Sequence, residues 1–184
     1  MEIVDLLSGA AFPFMLTAIL SATIISYISY GEEDLGLQIL ILAVGEALLV
    51  AATAIFGKQN GVTAYRRTVQ NTNKRNINSS DLRSRLYVGE YAVYKGAVIA
   101  VIVCIPFAIV NLIYAIAPNS VCEFMLVYVF GWAVFPFRLA SLSPWLYYVS
   151  VIPYVAVHTA AYVWGGKVEK KKQDILARTN PDKK

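Results

Sequence analysis

Three ionisable residues stand where a mostly apolar chain could use them for chemistry: Glu46, His158 and Arg138. Glu46 is the only charged residue between about Leu35 and Phe56. A carboxylate held inside a bilayer is costly unless it is neutral, paired or hydrated, so Glu46 is a candidate to bind a cation, relay a proton or meet a polar substrate. The competing reading is a protonated or paired glutamate that fixes helix packing. His158 is the single histidine of the chain. It lies 13 residues after Trp145, and Glu46 lies 11 after Leu35. Counted from one face of a membrane the two reach similar depth, and a Glu–His pair would be a proton-handling couple because imidazole titrates near neutral pH. The alternative is a neutral imidazole bonded to a backbone carbonyl or to Thr159. Arg138 closes the proline-broken aromatic run Phe130–Phe137 and is always charged. It either clamps an anionic headgroup or substrate, or marks an interfacial turn.

Other chemistries lack their residues. One histidine and two cysteines, Cys104 and Cys122, fall short of the ligand set of a zinc site, and their separation along the chain argues against a disulfide. The glycines do not carry the spacing of a phosphate-binding loop. No serine, cysteine or acidic pair forms a recognisable catalytic arrangement, so neither an enzymatic activity nor a cofactor is expected.

The elements that must position these residues are membrane helices. Of the 184 residues 58% are hydrophobic, and the mean hydropathy is +0.56; both exceed what a water-facing surface permits. A spanning helix needs about 20 apolar residues, which predicts an all-α, polytopic helical membrane protein with one membrane domain over residues 1–166. Candidate spans cover about Leu6–Tyr30, a retained span and not a cleaved leader, then Leu35–Phe56, Gly96–Ala117 and Trp145–Gly166. Ala18, Ala22 and Ser26 on the first, and Ala43, Ala47 and Ala51 on the second, recur every four residues and are expected to be helix-packing stripes.

Charge assigns the sides. Glu32, Glu33, Asp34 and Glu123 occupy short gaps without basic residues, whereas a loop over 58–90 and a tail over 167–184 are rich in lysine and arginine. Basic segments stay in the cytoplasm, where Arg66, Arg67, Lys74 and Arg75 are expected to meet anionic lipid headgroups. Nucleic-acid binding is not expected, because the basic residues of the loop are spread among polar residues without an aromatic recognition pattern. Phe124–Phe137 is an uncharged run of 14 residues, too short for a comfortable span. If it dips in and returns, four full spans leave both termini cytoplasmic; if it crosses, five spans put the basic tail outside. The charge rule favours the first arrangement, in a bacterial plasma membrane. The expected function is that of a non-enzymatic subunit or scaffold in a larger membrane assembly, held by other subunits or by self-association. The alternative is capture or transport of a small solute or ion through Glu46 and His158 near the bilayer midplane.

Overall fold

The computed structural model describes residues 15, 17–19, 21–23, 35–77 and 91–179, and these are helical apart from short connections. Helix α1 covers Leu35–Ile77, α2 Val93–Ile116, α3 Ser120–Tyr128, α4 Gly131–Leu139, and a 3-10 helix over Pro144–Ser150 leads into α5, Val151–Thr179. The described residues of the first apolar stretch are helical as well; the rest of that predicted span, with Ser26, lies outside the described residues.

Among the described residues, three segments are long and apolar enough to cross a membrane: Gly36–Gln70, Val93–Ile116 and Pro144–Thr179. Helices α3 and α4 are too short singly and meet at a bend of 101°. Asn119 starts α3 by accepting the Cys122 N–H at 2.8 Å, the capping role that suits a short polar side chain. At the far end of α4, Ser141 adopts a positive φ of 53°. The Ser141 and Leu142 amides bond back to the Arg138 and Phe137 carbonyls, each at 2.9 Å, a Schellman-type stop that spends a left-handed serine to turn the chain out of the helix.

Contacts set the directions. Gly57 of α1 lies against His158 and Ala161 of α5, Gly61 against Tyr162, and Arg66 against Glu169, so the two longest helices run parallel. Helix α2 is antiparallel to both: Gly96 near its start meets Tyr162, and Asn111 near its end donates to the Pro144 carbonyl at 3.1 Å. The bundle therefore has a basic end, where α1 and α5 finish, and an opposite end where α2 hands over to α3. Glu123 of α3 and Arg138 of α4 pair at 2.7 Å, so both outer ends of the bent pair sit together. Phe130, at the bend, reaches the core beside Phe107, Trp132 and Val134.

Two boundaries differ from the sequence reading. The predicted loop over 58–90 is helical as far as Ile77, and the predicted tail from Lys167 is helical to Thr179. Both stretches lack proline up to those points, the residue that most strongly ends a helix. At about 1.5 Å per residue, the 43 residues of α1 extend to about 65 Å, twice the roughly 30 Å of a bilayer core.

Candidate functional site

The α1–α5 seam determines where the candidate residues fall. Ideal Cβ atoms at Gly61 and Gly165 would run into the Tyr162 and Lys58 carbonyl oxygens, and one at Gly57 would lie 2.6 Å from the His158 oxygen. Only glycine permits backbones this close. The buried side of α1 is accordingly Gly45, Leu49, Thr53, Gly57 and Gly61, whereas Ala43, Ala47 and Ala51 are exposed. The alanine stripe thus does not face the described helices; the spacing of four was right, but the face was displaced by two residues. In the first stretch, Thr17 and Ser21 are buried and Ala18 and Ala22 only half-buried, with the Trp132 N–H donating to the Ser21 hydroxyl at 3.3 Å.

Glu46 and His158 are not partners. Gly57 is the α1 residue at the level of His158, and Glu46 lies 11 residues before it, about 16 Å along the axis. The depth argument failed because it counted from the first apolar residue of each helix, and those residues are not level. His158 is fully buried; its Nδ1–H donates to the Gly96 carbonyl at 3.0 Å, while its Nε2 has no hydrogen-bond partner among the described residues, and Thr159 bonds to Val155 O at 2.7 Å.

Glu46 lines a cavity of about 110 Å³ with Thr53 of α1, Trp132 and Pro136 of α4, Ser150, and Tyr154 of α5. The Trp132 and Tyr154 rings lie 5.2 Å apart at 35°. Both residues are more than nine-tenths buried, and among the described residues the indole N–H and phenol O–H have no hydrogen-bond partner. Buried donors left without partners cost about 1–3 kcal/mol each. The sequence reading missed Thr53, Trp132, Ser150 and Tyr154, since neither spacing nor composition brings three separate segments to one point.

Arg138 and Glu123 line a larger cleft of about 530 Å³ with Gln38, Ser120, Tyr128 and Phe135. Both charged side chains are about half exposed, so their pairing is screened and contributes little. Arg138 therefore satisfies its charge through a carboxylate at the end of the bundle.

At the basic end Arg66 grips Glu169 through two bonds of 2.9 and 3.3 Å, and Gln173 donates to the same carboxylate at 3.0 Å. Arg66, predicted to meet lipid headgroups, is thus committed at least in part to α5. Arg67 is exposed, and the side chains of Lys74 and Arg75 lie outside the described residues. Glu169 is 4% exposed against 53% for Arg66, so losing either partner is unequal. Arg66→Ala leaves a buried carboxylate without its charged donor, whereas Glu169→Gln leaves an arginine free to turn to water. In thermal unfolding of the purified protein, Arg66→Ala should lower stability more than Glu169→Gln does.

Among the described residues no group of three or more histidine, cysteine or acidic side chains is placed to hold a metal ion. Comparison with protein families, with curated proteins and with solved structures finds no match to this chain.

Proposed function

We propose that the chain is an integral membrane subunit that anchors an assembly and presents a rigid two-helix stalk at its basic end. The observation that carries this reading is the stalk itself. Lys58 sits over the Trp164 ring at 4.4 Å, a pairing suited to the headgroup level. Beyond it α1 continues to Ile77 and α5 to Thr179, locked by glycine packing and by the buried Glu169. Past that level Val168, Ile175 and Leu176 are exposed. Lipid explains exposed apolar residues within the membrane; it does not explain them on a helix pair that has left it. At membrane depth, α5 carries an apolar groove of about 820 Å³ along Val151, Val155, Ala156, Thr159 and Ala160. Its two alanines, four apart, suit close approach of another helix.

The topology proposed with this function has four full spans and a re-entrant α3–α4 pair, with both basic ends in the cytoplasm of a bacterial plasma membrane. Parallel α1 and α5 support it, since their basic ends then share one side, as the charge rule requires. Backbone that breaks at membrane depth is tolerated only where protein or a polar cavity covers it, and the bend at Phe130 is covered by Phe107 and Trp132.

A photo-reactive amino acid at Ile175, in cells that express the chain at native level, tests the assembly. The expected result is one discrete protein–protein adduct, absent when the probe sits at exposed Ile109 within the lipid-facing part of α2. A protein that purifies at the mass of one copy and forms adducts only with lipid at Ile175 would overturn the proposal.

A further inference from the structure

We infer that the cleft between α1, α3 and α4 holds the head of a zwitterionic phospholipid, its phosphate on Arg138 and its ammonium on Glu123. This rests on the membrane class alone, and on neither the assembly nor the sidedness proposed above. From residue 96 to residue 166 the chain has two formally charged side chains, Glu123 and Arg138. They belong to different helices, yet the bend between α3 and α4 brings them to 2.7 Å on the wall of one cleft. Its volume of about 530 Å³ falls within the roughly 300–1,000 Å³ of small-molecule sites. Ile116, Val121 and Phe124, near it in the chain, are exposed apolar side chains. Charge beside exposed apolar surface, at the end of a spanning helix, marks the edge of the hydrocarbon, where headgroups lie.

The lining selects the ligand. Both side chains are open to solvent, Arg138 at 48% exposure and Glu123 at 44%. Arginine is always charged, and the carboxylate that faces it is its counter-ion. Among the described residues a single bond joins them, Arg138 Nη2–H to Glu123 Oε1. The other guanidinium donors and the second carboxylate oxygen are left for a ligand. A simple anion gains Arg138 but meets Glu123 with the wrong sign, and a simple cation does the reverse; a zwitterion meets both with the right one. Opening the pair to admit it costs little, because an exposed ion pair contributes little. Phosphate suits the two-pronged guanidinium. The ammonium finds, beside Glu123, the aromatic residues Phe124, Tyr128 and Phe135 on the same lining, the setting of a cation–π contact. Val127 with the two phenylalanines gives an apolar wall for the acyl end of a lipid, which a small soluble zwitterion would leave uncovered.

The delipidated full chain in detergent is titrated with phosphatidylethanolamine or with phosphatidylglycerol of the same acyl chains, and bound lipid is counted by native mass spectrometry. Phosphatidylglycerol carries the phosphate without the ammonium, so its first molecule should bind about tenfold more weakly than the first phosphatidylethanolamine. Arg138→Gln should weaken phosphatidylethanolamine by about tenfold. Glu123→Gln should reverse the preference, because Arg138 then faces an anion unopposed. Lys171→Gln, exposed at the opposite end of the bundle, should change neither lipid. Soluble phosphoethanolamine, the head without the acyl chains, should displace the lipid only at far higher concentration. The inference fails if the two lipids bind the unaltered chain alike, if phosphoethanolamine competes at equal concentration, or if a folded Glu123→Gln keeps the original preference. Should Glu123→Gln not fold, Arg138→Gln decides: unaltered phosphatidylethanolamine binding there would overturn the site.

Discussion

Gly61→Val should be the most damaging single substitution in the α1–α5 seam, lowering stability by about 3 kcal/mol or more, with Gly61→Ala already costing about 2 kcal/mol. A Cβ at Gly61 meets the Tyr162 carbonyl, and a backbone oxygen has no rotamer to retreat to. The helices must part, and in lipid their packing is the main force holding them, since surrounding acyl chains are as apolar as the side chains themselves. Parting them at Gly61 also loosens the Gly165–Lys58 contact one turn away and the Arg66–Glu169 pair beyond it. Gly61→Ala combined with Gly165→Ala should therefore cost less than the sum of the two, because both open one crossing. Unfolding in mixed detergent micelles measures this. The comparator is Ala47→Leu on the exposed side of α1, expected to change stability by less than about 0.5 kcal/mol. A larger loss at Ala47 than at Gly61 would restore the alanine stripe as the packing face.

Phe107→Ala should have the next largest effect and a different signature. Phe107 is fully buried, with the rings of Phe130, Trp132 and Tyr148 5.7 to 6.0 Å away. It is the point at which α2 holds both the bend of the α3–α4 pair and the start of the last helix. In water such a truncation costs about 3–5 kcal/mol. Within a bilayer the transfer component is absent, because the unfolded helices also sit in lipid, and the packing loss alone leaves about 1–3 kcal/mol. The damage should be local: in detergent micelles, hydrogen exchange of the Val129–Gly131 amides should rise steeply, while the α1–α5 seam keeps its protection. Equal loosening of both regions would show that the bent pair and the seam form one cooperative unit.

These two sites also show what the sequence does and does not disclose. Long apolar runs and the segregation of charge around them made the helical membrane class legible, because lipid demands internally bonded backbone whatever the partners. The weak point at Phe124–Phe137 was legible too, from 14 uncharged residues followed by Pro136 and Arg138, and the bent pair falls there. Helix register was not legible. Apolar length says that a segment reaches across a membrane, but levels between helices are decided by side-chain contacts distant in sequence, such as Gly57 with His158. That is why Glu46 and His158 were expected together and lie apart. The Gly57-xxx-Gly61 spacing was present to be read, yet it lay in a segment whose basic residues suggested a loop. Trp132 and Tyr154 carried no local signal at all: the burial of their rings against each other is visible only once α4 and α5 are packed together.

The orientation of the bent pair is the claim on which sidedness and the stalk both depend. In a background lacking native thiols, Cys104→Ala with Cys122→Ser, single cysteines at Asn119, Ser141 and Lys171 are labelled on intact cells with a membrane-impermeant maleimide. All three positions are exposed. The account predicts that Asn119 and Ser141 both react from outside, and that Lys171 reacts only after the membrane is opened. Reaction of Asn119 and Ser141 from opposite sides would contradict it, since α3 and α4 would then cross the membrane together as a fifth span.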